Sequence, residues 1–226
     1  MAVLVSNHLR PWIPALLALT ANSPVILGRD TGYASWRHML WTRWPSAGPP
    51  PHFRSARHYD EVIATMLDYG SILDTAMVYW DIRLSAHQPT IEIRVSDVPA
   101  TVQETILLAT LVRGLVVTAQ ASLARGELAP PVDPEVLRAA YWRAARYGLD
   151  GDGVDVRSRQ VVPASILLSR LLAHIRAALE ETGDYTAARN ALESVHALGN
   201  GARRQRRALR AGTVADVLDV VTVRPR

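Results

Sequence analysis

Cysteine is absent from the 226 residues, which excludes a disulfide framework, a thiolate zinc site and a cysteine nucleophile. Its absence leans towards a reducing compartment. Lysine is absent too, so all 25 Lys-or-Arg positions are arginine. Schiff-base chemistry on lysine and a P-loop lysine are therefore excluded. Any phosphate or carboxylate must be held by arginine, backbone N–H or metal. Arginine suits that task, because its planar fork matches such groups in bidentate fashion. Together with abundant Ala, Val and Leu, the arginine bias is that of a GC-rich genome. The net charge of +4 is too modest to argue for nucleic acid. Apolar residues make up 49% and charged ones 20%, the balance of a globular chain long enough for one sizeable core or two small ones.

The apolar stretch LRPWIPALLALTANSP, residues 9–24, imitates a signal peptide. Pro11 and Pro14 sit where its apolar run should begin, and it is too short to span a bilayer. A buried or amphipathic helix with proline near its first turn is expected, and no other segment is expected to reach across a membrane. Helix is read over residues 3–21, 58–70, 100–125, 135–147, 163–182, 184–197 and 200–222. The 100–125 segment is apolar almost all round and is expected to be well buried. Residues 25–57 hold Gly28, Gly32, Gly48, the run Pro49–Pro51 and several tryptophans. So long an irregular segment, rich in Trp, points to function rather than disorder. GLDGDGVD, residues 148–155, offers Asp150, Asp152 and Asp155, but Val161 stands where a calcium loop needs glutamate, so a turn is expected. The fold class is α+β, helix-rich.

One hairpin carries the chemistry: YWDIRLSAHQPTIEIRVSD, residues 79–97. Strand side chains alternate between faces. Trp80, Ile82 and Leu84 share one face with Ile91, Ile93 and Val95 only if the connecting loop has even length. A four-residue loop, Ala86 to Pro89, satisfies this. It sets Arg83 opposite Glu92 and Asp81 opposite Arg94, two opposite-charge pairs on one polar face. Pattern alone favours a wet, ion-paired surface. The scarcity of strands, and a set of two arginines with two carboxylates, narrow that preference and keep the floor of a site open. The run GARRQRRALR holds Arg203, Arg204, Arg206, Arg207 and Arg210, which read as a solvated helix face rather than a nucleic-acid contact.

Five blocks, SNHLRPWIPALLALTANSP, GRDTGYASWR with the following WPSAGPP, YWDIRLSAHQPTIEIRVSD, WRAARYGLDG and GARRQRR, occur in this order. Together they resemble the type 2 glutamate–cysteine ligase family, ATP-dependent carboxylate-amine ligases with a glutamine-synthetase-like catalytic fold. The resemblance implies the C-terminal portion of such a domain, with an antiparallel hairpin at residues 78–97. It implies one incomplete catalytic domain, residues 1–226, with a sheet-bearing site half (1–126) and a helical part (127–226). Family members begin upstream, with a Gly-x-Glu-x-Glu strand that binds Mg²⁺ and a His-x-His-x-Gly strand; neither motif occurs here. Glu92 then resembles a metal ligand and Arg94 a phosphate or substrate-carboxylate contact. Arg37 resembles a substrate or phosphate contact. Arg83 either faces the same cavity or only orients Glu92. One arginine of the 203–210 run could reach a nucleotide.

The implied cofactors are ATP and Mg²⁺, and the implied substrates are glutamate or a similar acid and cysteine or another amine. The implied reaction converts glutamate, cysteine and ATP to γ-glutamylcysteine, ADP and phosphate in the cytoplasm, without membrane or nucleic-acid partners. A weak or inactive isolated chain is expected, and a non-catalytic remnant or partner subunit is the alternative. Strand edges left unpaired imply a homo-oligomer or a complementing N-terminal chain.

Overall fold

The computed structural model describes residues 1–85, 88 and 90–222. Eleven α-helices and three two-stranded antiparallel sheets occur among them. The chain opens with α1 (Ala2–Leu9), a 3-10 turn (Arg10–Trp12) and α2 (Ile13–Thr20). The expected single helix over 3–21 is thus interrupted, because Pro11 and Pro14 remove two N–H donors and tighten the turn between them. Every residue of α2 is buried, and α2 packs against α5 (Val102–Ala124), α6 (Pro134–Tyr147) and α7 (Ala164–His174). Fully burying each of its Leu and Ile side chains contributes roughly 1.5–3 kcal/mol.

The irregular segment holds the hairpin β1 (Val25–Ile26) with β2 (Arg29–Asp30), then α3 (Trp36–Trp41). Next come α4 (Ala56–Asp68) and the hairpin β3 (Ile82–Leu84) with β4 (Ile91–Ile93). Ser35 and Ser55 cap α3 and α4 by accepting the N–H of His38 and His58. The amphipathic α4 lays Tyr59, Val62, Ile63 and Met66 on a small core of Val3, Phe53, Ile72, Val78 and Trp80. The main core joins α1, α2 and α5–α7 with α8 (Arg176–Glu181) and α9 (Tyr185–Leu198).

Several expectations are corrected. GLDGDGVD is a turn only in its first half; its second half is β5 (Asp152–Asp155), paired with β6 (Gln160–Pro163), so the C-terminal part also carries a hairpin. Asp150 and Asp155 hold Arg203 and Arg170 rather than converging on a metal. The helices read over 163–182 and 200–222 each break, at Ile175 between α7 and α8 and at Gly212 between α10 (Gly201–Ala211) and α11 (Val214–Val221).

The long helix α5 is not well buried. Leu107, Leu111, Gly114, Leu115 and Ala119 face α1, α8 and α9, while Val102 and Ile106 are 65% and 60% exposed. By length and composition it could cross a membrane, contrary to the reading that no further segment reaches that length.

The arginine run of α10 stitches the fold. Arg203 pairs with Asp150, Arg204 with Glu104 and Arg206 with Asp30. Beside them, Asn200 Nδ2 donates to Ala18 O (2.9 Å), Ala202 N to Ala21 O (2.9 Å) and Gln205 Nε2 to Asn22 O (2.8 Å). The end of α2 is therefore tied to residues 182 and 183 positions away.

Candidate functional site

The hairpin has the register that strand parity requires. Ile82 faces Ile93, Arg83 faces Glu92 and Leu84 faces Ile91. Of the expected four-residue loop, Ala86, His87 and Pro89 lie outside the described residues, but Ser85 N donates to Thr90 O, closing the ladder at its even-length end. Ile82 and Val95 are fully buried against the main core, and Trp80 against the small one. The polar face is thereby turned the other way.

On that face Glu92 bridges two cations. Its carboxylate accepts from Arg83 Nε and from Arg94 Nη1, both at 2.7 Å. Arg83 is fixed from behind, since its Nη1 also donates to Ala76 O (3.0 Å) and Val78 O (3.2 Å). Arg94 lies over the Tyr79 ring at 5.8 Å. Burial works to raise the Glu92 carboxyl, but the hydrogen bonds and charges of Arg83 and Arg94 outweigh it and hold the group below its ordinary value.

The second expected pair does not form as an ion pair. Backbone pairing holds, with Arg94 N donating to Asp81 O at 2.8 Å. The Arg94 side chain, however, is committed to Glu92, and the Asp81 side chain is 1% exposed with Oδ2 lacking any hydrogen-bond partner in the protein. Burial pushes the Asp81 carboxyl up to about 7, against the opposing pull of Arg37 and Arg94. The face therefore sorts into an outer, half-exposed carboxylate holding two arginines and an inner, buried acid.

Arg37 reaches the same place from α3. Its Nη1 and Nη2 donate to Val95 O (3.4 Å) and Arg94 O (3.2 Å), and it stacks on Trp41 at 5.8 Å. Arg37, Arg83, Glu92 and Arg94 are thus brought together. What sets Arg37 there is Asp97, a residue the sequence reading passed over. This buried carboxylate accepts from Asn22 N (2.7 Å), Ser23 Oγ (2.8 Å) and Ser35 Oγ (2.8 Å). It clamps the end of α2 and the cap of α3 to the end of the hairpin. The one available signal was its place at the end of the RVSD strand, where alternation runs out.

Several buried polar atoms here have no partner in the protein: Asp81 Oδ2, Arg94 Nε, Ser96 Oγ, Trp41 Nε1 and the Tyr141 hydroxyl. Each such group costs about 1–3 kcal/mol if it stays unsatisfied, so their gathering is the mark of a polar site rather than of packing. Next to them a cavity of about 870 Å³ opens between the strap of residues 44–52 and α6. Trp44 joins the two regions, since it lines the cavity and meets Tyr79 with ring centroids 6.3 Å apart.

Residues 1–219 match the model of glutamate-cysteine ligase family 2. The chain belongs to this family. A relative from Nocardia farcinica, named "Putative glutamate--cysteine ligase 2-1", is 60% identical over 220 residues, 97% of this chain and 57% of the relative. Relatives from Mycolicibacterium vanbaalenii and Mycolicibacterium smegmatis, with corresponding 2-2 and 2-3 names, are 55% and 53% identical over 96% of this chain and 60% of their own length. The chain thus spans about three-fifths of the length of these family 2 relatives.

For a family 2 chain the metal question is specific. Among the described residues no three His or acidic side chains come together. Mg²⁺ that arrives with a nucleotide needs only one or two protein carboxylates, because phosphate oxygens and water fill the remaining positions. Glu92 is half-exposed, with one oxygen held by Arg83 and the other by Arg94.

Proposed function

We propose that the chain is the arginine-bearing part of an ATP-dependent carboxylate–amine ligase, joining glutamate to cysteine, within a glutamine-synthetase-like catalytic fold. The observation that carries this reading is the Arg83–Glu92–Arg94 bridge with Arg37 beside it on one hairpin face of a family 2 chain. In such a reaction a substrate carboxylate oxygen attacks the γ-phosphorus of ATP, the bond to ADP breaks and an acyl phosphate forms. The amine nitrogen then attacks the acyl carbon, phosphate leaves with the C–O bond electrons, and the amine gives up a proton.

Arg37, Arg83 and Arg94 neutralise the phosphoryl oxygens as negative charge shifts between them. Their guanidiniums are held in advance by Glu92 and by four backbone carbonyls, so little reorganisation is needed. Glu92 would be the residue to hold a nucleotide-borne Mg²⁺, which would supply further charge neutralisation. Trp41 and Tyr79 flank the arginines and limit water, which would hydrolyse the mixed anhydride. The proposed setting is the cytoplasm, where ATP and reduced cysteine meet. The proposed partner, a second copy or a complementing N-terminal chain, would pair along β4, which among the described residues is bonded only to β3.

The test is direct. The purified chain is supplied with ATP, Mg²⁺, glutamate and cysteine; ATP binding and phosphate release are followed separately. Arg94→Gln should weaken ATP binding by ~10-fold or more. Binding without release in the parent chain would make it a nucleotide-binding partner subunit. If ATP does not bind, or Arg94→Gln and Arg83→Gln bind it like the parent, the reading fails.

A further inference from the structure

Arg10 is the only buried arginine among the described residues, at 2% exposure. Its Nε donates to Pro50 O at 2.7 Å. No carboxylate among the described residues pairs with it, whereas thirteen other arginines have one. Burial lowers its pKa, and the only other ionisable group acting on it is Tyr141. A buried charge of this kind is costly unless something pairs with it.

Arg10 lines the cavity of about 870 Å³ that lies beside the hairpin site. Two further polar groups line the same space. The Tyr141 hydroxyl is buried and without a partner. His38, its ring centroid 5.5 Å from that of Tyr141, is kept neutral at pH 7 because burial, and then the charge of Arg37, push it down to about 4. Asp133 lines the cavity but is tied to Arg159 at 2.9 Å, and Asp81, whose charge acts on Tyr141, does not line it. Trp44, Trp142 and the Pro49–Pro51 run complete an apolar wall. An apolar cavity of this size with a few convergent polar groups is the usual form of a small-molecule site.

We propose that this cavity binds a small organic anion, whose carboxylate or phosphate head pairs with Arg10 and accepts from the Tyr141 hydroxyl while its body lies against Trp44 and Trp142. The anion supplies the missing counter-charge, the neutral His38 adds a hydrogen bond, and the guanidinium fork gives the head its orientation. The site does not depend on the ligase reading, because none of Arg37, Arg83, Glu92 or Arg94 lines the cavity.

Trp44 and Trp142 supply the readout. The intact chain is titrated with inorganic phosphate, L-glutamate and benzoate while tryptophan emission is followed. A saturable change with at least one probe is expected, weakened by ~10-fold or more in Tyr141→Phe and in Arg10→Gln. Tyr141→Phe removes only a hydroxyl that bonds to nothing, so an unchanged melting temperature certifies its fold. Arg57→Gln, at an exposed position on α4, should bind these probes as the parent does. Response to phosphate alone assigns a phosphate ester; response to glutamate or benzoate assigns a carboxylate. The proposal is overturned if no probe binds up to about 20 mM, or if Tyr141→Phe or Arg10→Gln titrates like the parent.

Discussion

Asp81→Asn tests the electrostatics of the hairpin. An aspartate carries an unfolded value near 3.8, and burial raises this one to about 7 in the folded chain. At 1.36 kcal/mol per pH unit, keeping it ionised in the fold costs about 4 kcal/mol. The sign follows from proton counting. Between 3.8 and 7 the folded state holds a proton that the unfolded state has released, so Asp81 makes the chain less stable as pH rises, and the full penalty applies above 7. At pH 5 the penalty is only about 2 kcal/mol.

Asparagine is neutral throughout. Its advantage over aspartate should therefore shrink by roughly 2–3 kcal/mol between pH 8 and pH 5, whatever constant cost its amide carries. Urea unfolding of both chains at the two pH values measures this. Taking the difference between the chains cancels the histidines that titrate in the same window. A difference that is equal at pH 8 and pH 5 would refute the reasoning, because Asp81 would then be solvated or paired with Arg37 or Arg94.

His38 acts in the opposite direction. Its folded value of about 4 lies below the ordinary 6.5, so its contribution is intact above 6.5 and is lost as pH falls towards 4. His38→Phe keeps a ring against Tyr141 and should spare about 2 kcal/mol of the stability lost between pH 7 and pH 5, read from the urea midpoint. Asp97→Asn weakens three hydrogen bonds to a charged acceptor and should cost about 2–4 kcal/mol; a near-UV circular dichroism change should accompany it as α3 and its tryptophans shift. Gly114→Leu should cost about 3 kcal/mol in thermal unfolding, since even a Cβ there would lie 2.9 Å from Ile175 Cδ1 and 3.1 Å from Leu179 Cδ2.

The hairpin was legible because alternation has a period of two, and one parity argument sets its register. Which arginine takes which carboxylate was not legible. Register sets Asp81 opposite Arg94, but burial decides that Asp81 turns inward and leaves Glu92 to hold both cations. Helix existence was read well except for α3, which lies in the stretch read as irregular, and helix ends were read poorly. Ile175 breaks a helix without glycine or proline, and β5 is hidden inside a run of aspartates and glycines that looks like a turn throughout. The burial of α5 was misread because its apolar residues surround the helix, so its sequence carries no sign of which side the core takes. The Arg10 cavity left no mark on the sequence, since it is made by residues 10, 38, 44 and 141, joined only by the fold.

The ties from Asn200, Ala202 and Gln205 to residues 18–22 set an order of assembly. Asn22 is held at once by Asp97 and by Gln205, so the junction that seats Arg37 is completed by a helix made 183 positions after Asn22. Contacts separated by some 180 residues carry a high loop-closure cost and form late. A nascent chain can build α1, α2 and the small Phe53 core early, yet its arginine face stays unclamped until α10 docks. Translation that stops before residue 200 would release a chain with a folded front and a loose site.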